Sequence, residues 1–297
     1  MPGAPWQARL LELLGRSGPA QRRAMARLFY LVVYQLAGYR KGLVLENLGR
    51  AFPQESATGL TILSKKYYRQ LAEVALEIAH TASMTPDELR RAVQLDNPEL
   101  VRRYSGDFTA PVLLLALHQG NWEWLLSGTA LALGQPLDVI YKPLPNRALD
   151  TFMVEVRGRF GCRPVPVAEA AADLLRRRRE PRLLAMAADQ APAASERRLD
   201  CEFFGCATSF HNTPAELAAR TGMPVLFAGL RRESSGRYRV RFEALTPATG
   251  STDAKAITRA YAAAAEQAIR AEPESWLWSH RRWKHAQAIS SQLKPED

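Results

Sequence analysis

Pro111-Val112-Leu113-Leu114-Leu115-Ala116-Leu117-His118-Gln119-Gly120-Asn121-Trp122-Glu123 is the stretch on which the reading of this chain turns. Residues 112–117 form an apolar run too short for a helix and too uniform for a strand with one wet face, so they predict a buried strand. Polar chemistry begins abruptly at His118. Asn121 is placed to cap a helix running to about Leu133, and Glu123 falls in its first turn. A buried strand that passes through a polar turn into a helix is the unit of parallel α/β sheets, which bind ligands at the carboxyl ends of their strands.

The same alternation continues towards the C-terminus. Strands are predicted at residues 137–141, 163–167, 182–188 and 224–230, and helices at 147–159, 169–178, 213–221 and 253–271. Residues 237–244 alternate outward Arg with inward Tyr, Val and Phe, as a strand towards a sheet edge does. Residues 191–211 read as one long irregular loop, the kind that is often functional. Towards the N-terminus the period is helical: RLLELLGR, closed by Gly15 and Gly18, then 22–37, 44–52 and 57–82. Thr85-Pro86-Asp87-Glu88 is a capping box with Pro at the first helical position, starting a helix to about Gln94, and Asn97-Pro98 opens another. The expected fold class is α/β: a central, mostly parallel sheet flanked by helices, with a helical N-terminal layer. Residues 1–105 form that layer and residues 106–297 the α/β region, within one compact domain.

The composition limits what this fold can serve. The 297 residues are 47% hydrophobic and 24% charged, which excludes general disorder. Three Cys make no even-numbered disulfide framework and point to a reducing compartment. The longest uncharged stretches, 108–122, 124–137 and 28–39, fall short of the roughly 20 apolar residues of a membrane-spanning helix. The N-terminal residues lack the cationic start and small-residue cleavage site of a secretory signal, so export is not expected. Lys and Arg number 40 against 30 Asp and Glu, a formal charge of +10, and 33 of the 40 are Arg. That excess is either a bias of base composition or a preference for anionic partners: a lipid headgroup, an acidic protein or nucleic acid. A nucleic-acid-binding protein is the rival reading from a different class, but the sequence holds no nucleic-acid recognition motif. Walker, GxGxxG, GxSxG and HExxH patterns are absent as well.

His118 and Glu123 are the candidate catalytic pair. A carboxylate turned back onto one ring nitrogen fixes the tautomer and makes the other nitrogen a better general base. Gly120 lets backbone approach closely, and N–H groups at the helix start from Asn121 onward are placed to hold developing negative charge. The plainer alternative is a locally satisfied His and a Glu that serves the helix dipole.

His-x4-Glu directly after an apolar strand resembles the motif of the lysophospholipid acyltransferase superfamily, and HQGNWEW resembles its lipid A biosynthesis (lauroyl/myristoyl) branch. NLGRAFP near residue 50, YKPLPN at 141–146, VRGRFG at 156–161, ADQ at 188–190, EFFG at 202–205 with PAELAARTG, and WLWSHRRWK follow in the family's order. The resemblance implies a glycerol-3-phosphate acyltransferase-like fold. It further implies transfer of a fatty acyl chain from acyl carrier protein to a hydroxyl of a lipid A precursor or related membrane glycolipid. No cofactor or metal is implied, and the carrier is a substrate and partner. His118 would deprotonate the hydroxyl while Glu123 orients and charges it. Lys142 and Arg157 fall where the family carries basic residues near the acceptor, with Gly120, Asn121, Asp189 and Gln190 as further substrate-binding positions. The implied location is the cytoplasmic face of the inner membrane. Many relatives begin with a longer apolar anchor; here residues 28–39, flanked by Arg, suit lying on an anionic membrane surface. Acyl-CoA as donor, or another amphiphile as acceptor, is the alternative within the same chemistry.

Three weaker signals stay open. Arg176 to Arg179 are either a solvated helix end or a docking point for the acidic carrier. Cys201, Cys206 and His211 have poor zinc spacing. Trp276, Trp278 and Trp283 form either a headgroup-level belt or a packed cluster.

Overall fold

In the structure, a computed structural model that describes residues 6–284 except Arg179, the apolar run 112–117 lies at the centre of the chain's main sheet. Strand β1 is Val93–Leu95, β2 Val112–Ala116, β3 Leu137–Tyr141, β4 Cys162–Pro166 and β5 Leu183–Ala187. After a separate hairpin of β6 (Arg198–Phe203) and β7 (Cys206–His211), β8 is Val225–Ser234 and β9 is Arg237–Ala244. The spatial order in the seven-stranded sheet is β1-β9-β8-β2-β5-β3-β4. All neighbours are parallel except the β8–β9 hairpin, so β1 and β9 run against the other five.

Every residue of β2 is buried because helices cover both faces. Leu113, Leu115 and Leu117 join one core, shared with α2 (Pro19–Tyr30), α3 (Lys41–Ala51), α4 (Ala57–Thr81), α10 (Thr213–Thr221) and α11 (Ala254–Ala271). Val112, Leu114 and Ala116 join the other, with α5 (Pro86–Ala92), α6 (Pro98–Tyr104) and α7 (Trp122–Leu133). This odd–even division is the period of two of a strand, and burial on both faces removes the polar alternation. The remaining helices are α1 (Trp6–Gly15), α8 (Arg147–Gly158) and α9 (Val167–Arg176). The N-terminal layer packs closely: a Cβ on Gly15 of α1 would lie 2.3 Å from the Ala79 carbonyl oxygen of α4.

Three expectations are corrected. The helix from Thr85 ends at Ala92, and Val93–Leu95 leaves it as an edge strand on β9; β-branched Val93 fits the parallel pairing. The helix expected at 22–37 starts at Pro19, and its last turn, Leu31–Leu36, is π-helical. Residues 191–211 are not an irregular loop, since 198–211 form the β6–β7 hairpin. Its turn residues Phe204 and Gly205 both have positive φ, 54° and 69°, as a two-residue hairpin turn of type I′ requires. The alternation of Leu199, Cys201 and Phe203 with Arg198, Asp200 and Glu202 carried that signal.

The opposite end of the sheet is tied by charge. Asp138, at the start of β3, is 1% exposed and meets the guanidinium groups of Arg163, Arg177 and Arg182 at 2.7–2.9 Å. This network lies at the amino ends of the parallel strands, away from His118.

Candidate active site

His118 leaves β2 one residue past Leu117, at the carboxyl edge of the sheet. The neighbouring strand β5 ends in the same place and delivers Asp189. The two meet in a fork: His118 N–H donates to Asp189 Oδ2 at 3.0 Å, and Nδ1 lies 2.7 Å from Oδ1. The Trp276 indole N–H donates to the same Oδ2 at 2.8 Å. Burial works to raise the pKa of this 1%-exposed carboxyl, yet the His118 charge and these hydrogen bonds bring it down to about 2. Asp189 is therefore an ionised acceptor, and in the neutral ring of His118 it favours the proton on Nδ1 and the lone pair on Nε2. Burial also acts to lower the His118 pKa, but the charge and hydrogen bond of Asp189, helped by the Glu123 charge, leave it raised. The His118 side chain retains 25% exposure, while Trp122 stands edge-on to the ring at 5.4 Å.

The carboxylate hydrogen-bonded to His118 is thus Asp189, not Glu123. Glu123 is 2% exposed and turns the other way, into a bidentate pair with Arg157: Nε to Oε2 at 2.7 Å and Nη2 to Oε1 at 2.6 Å. The Trp122 indole donates to Glu123 Oε1 at 3.1 Å. Burial acts to lower the Arg157 pKa, but the hydrogen bonds and charge of Glu123 raise it overall. Its guanidinium lies 5.3 Å from the centre of the Tyr141 ring. Spacing placed Glu123 within reach of the imidazole; the fork of Arg157, on the adjacent α8, offers two charge-assisted bonds instead of one.

Four of the six positions expected to bind substrate do other work: Asp189 holds His118, Arg157 pairs with Glu123, and Asn121 and Gly120 are taken up within the fold. Asn121 is fully buried: its Oδ1 caps α7 by accepting from Trp124 N–H, and its Nδ2 donates to Glu77 at 3.1 Å. Gly120 is also buried, and its N–H is taken by the Ser275 carbonyl at 2.8 Å, so it is not a free donor for an oxyanion. Its φ of +54° is left-handed, and a Cβ there would lie 3.1 Å from Leu230. Lys142 is exposed on the loop after β3, at the same sheet edge as His118, and forms no ion pair among the described residues. Gln190 is half-buried beside Asp189, and the next residue, Ala191, donates its N–H to His280 Nε2 at 2.9 Å.

The C-terminal segment completes the site, and the sequence did not show how. Gln119 and Trp276 form an antiparallel bridge, and Leu277 N–H donates to the His118 carbonyl at 3.0 Å. Asn47 of the NLGRAFP stretch holds that segment by donating to the Trp278 and His280 carbonyls, each at 2.8 Å. Trp276, Trp278 and Trp283 are 1%, 0% and 6% exposed and pack with Phe203, Phe204 and Phe52, so they are a core cluster and not a headgroup belt. Tyr261 of α11 ties the ends of β2 and β5 by donating to the Ala116 carbonyl and accepting from Ala188 N–H. Cys201, Cys206 and His211 are spread along the hairpin, opposite Thr208, Phe203 and Arg198. Among the described residues no cluster of His, Cys, Asp and Glu is arranged to hold a metal.

Residues 11–285 match the family model described as bacterial lipid A biosynthesis acyltransferase. Among curated proteins, none matches the chain.

Proposed function

Because the chain belongs to the bacterial lipid A biosynthesis acyltransferase family, an acyltransferase family, we propose that it acylates a hydroxyl of a lipid A precursor or related glycolipid from acyl carrier protein. The observation that carries the mechanism is His118 with Nδ1 held by Asp189 and Nε2 free at the sheet edge. Nε2 takes the proton of the acceptor hydroxyl, and that oxygen attacks the thioester carbonyl. As the tetrahedral intermediate collapses, the carbon–sulfur bond breaks and His118 returns the proton to the departing thiolate. Asp189 stabilises the imidazolium between these transfers, and Trp276 holds Asp189. Glu123 supports the base by charge at a distance, with Arg157 fixing its position. Lys142 is an exposed cation at this edge suited to the acceptor or donor phosphate.

Attachment to the membrane is peripheral in this proposal, at the cytoplasmic face of the inner membrane. Among the described residues no helix is long and apolar enough to cross a membrane. α2 and the π-helical turn nevertheless expose Leu28, Phe29, Leu31, Val32 and Leu36, the last at 81%. Arg23 and Arg27 are exposed on the same helix, as on an interfacial helix bound to anionic lipid. The decisive test offers acyl carrier protein and CoA thioesters to a panel of lipid acceptors, with products identified by mass spectrometry. Product with lipid A precursors from the carrier thioester supports the proposal; product only from acyl-CoA, or only on unrelated acceptors, overturns the donor or the acceptor.

A further inference from the structure

Behind the loop that carries His118 lies a cavity of about 470 Å³, between α2, α4, α5 and the turn joining β8 to β9. Arg22 and Arg23 reach it from α2, Arg91 from α5 and Arg237 from the start of β9. Among the described residues none of these four arginines forms an ion pair with a carboxylate. The carboxylates in its wall are already engaged. Glu73 pairs with Arg232, and Glu88 closes the capping box of α5 on Thr85. Glu77 accepts from the Tyr238 hydroxyl at 2.6 Å, from Gly236 N–H at 2.9 Å and from Asn121 Nδ2 at 3.1 Å. Burial, with the like charge of Arg23, pushes the Arg22 pKa down against the pull of Glu77 and Glu88. Four guanidinium groups, none of them in an ion pair, offer planar forks of N–H donors to the tetrahedral oxygens of a phosphate.

We propose that this arginine cleft is a second anion site, which takes the phosphate of a lipid headgroup presented at the membrane surface. The placement favours a lipid over a free phosphate. Pro19, Arg22, Arg23 and Ala26 make one stripe of α2 along the cleft, and that stripe runs on to the exposed Phe29. Beyond it the chain exposes Leu31, Val32 and Leu36, so a bound headgroup would have its tails beside apolar side chains. The cleft and the loop that carries His118 share Asn121, which caps α7 with one side-chain atom and meets the cleft wall at Glu77 with the other. The inference rests on the membrane-attached reading above, but not on the acyl-transfer chemistry.

The experiment therefore uses the full chain carrying His118→Ala, so that turnover plays no part. Flotation is measured with vesicles of phosphatidylcholine alone and of phosphatidylcholine with phosphatidylglycerol. Replacing Arg23 and Arg91 together by Gln is expected to weaken partitioning to the anionic vesicles by about tenfold or more. Replacing Arg176 and Arg178, exposed at the other end of the sheet, removes the same charge and is expected to change it little. Inorganic phosphate at constant ionic strength is expected to compete with the vesicles for the chain with its cleft arginines intact and not for the cleft variant. Equal weakening by the two pairs, or none by the cleft pair, overturns the site. Phosphate binding that depends on Arg23 and Arg91 while partitioning does not overturns the lipid source.

Discussion

At the scale of single residues, the roles of the two buried carboxylates separate cleanly. Asp189 touches the imidazole, whereas Glu123 is bound to Arg157. Replacing His118 by Ala removes the base and is expected to lower kcat/KM by about 10²–10⁴-fold with the melting temperature nearly unchanged. Asp189→Asn is expected to cost activity heavily too, and to leave a signature in the pH profile. A general base works in its neutral form, so the acidic limb of kcat/KM follows the His118 pKa, which Asp189 and Glu123 hold above the ordinary 6.5. Without the Asp189 charge, that limb moves to lower pH while the plateau falls. A limb that stays in place in a folded Asp189→Asn protein contradicts the pairing. Glu123→Gln follows a different logic: it leaves the Arg157 charge largely buried and alone, a loss of about 3–5 kcal/mol by thermal or urea unfolding. Pairing it with Arg157→Met is expected to recover much of that stability.

At the scale of elements, the loop that carries His118 is a strand end clamped by a segment more than 150 residues later in the chain. Gln119 bridges Trp276, Gly120 donates to Ser275, and the His118 carbonyl accepts from Leu277. Such a clamp holds the turn in the left-handed conformation that only Gly120 adopts without strain. Gly120→Ala is expected to destabilise by about 1–3 kcal/mol in thermal unfolding, from the positive φ and the contact with Leu230. Trp276→Phe keeps most of the aromatic packing but removes one donor from Asp189. It is expected to lower kcat and to destabilise by about 1.5–3 kcal/mol, the usual worth of a hydrogen bond to a charged group. The sequence showed the apolar strand, the cap and the polar turn between them. It did not show the clamp, because pairing between distant segments leaves no local periodicity.

At the scale of the whole molecule, the sheet has two ends with opposite uses. The carboxyl end holds His118, Asp189 and the loop with Lys142; the amino end holds Asp138 and its arginines. A five-residue strand separates the two by roughly 15–17 Å, which removes the Arg176–Arg178 cluster from the mouth of the site. Arg177 is spent on Asp138, Asp173 and Glu180, and Arg176 and Arg178 remain exposed; Arg179 lies outside the described residues. Charge reversal at Arg176 and Arg178 is therefore expected to leave the KM for the acyl donor unchanged at low salt. Arg177→Glu is expected to unfold the protein at a lower temperature, since it sets a third acid beside two buried ones. A large donor KM increase from the first pair contradicts this division of the sheet.

Local sequence determined the α/β class, the buried central strand, the helical N-terminal layer and the place of His118 where that strand gives way to a polar turn. Each follows from patterns within about ten residues: an unbroken apolar run, helical spacing, a capping box, an abrupt change to polar residues. Even the β6–β7 hairpin was present as alternation, hidden by the polar residues around it. Only the tertiary structure decided which carboxylate serves the histidine. Glu123 and Asp189 are both acids near a strand end in the sequence, and Glu123 is by far the nearer in the chain. Adjacency of β2 and β5 in the sheet brings Asp189 to Nδ1, and adjacency of α7 and α8 gives Glu123 to Arg157. Hydrogen bonds act over about 3 Å in space whatever the separation along the chain, so the partner of a catalytic group is a property of the packing.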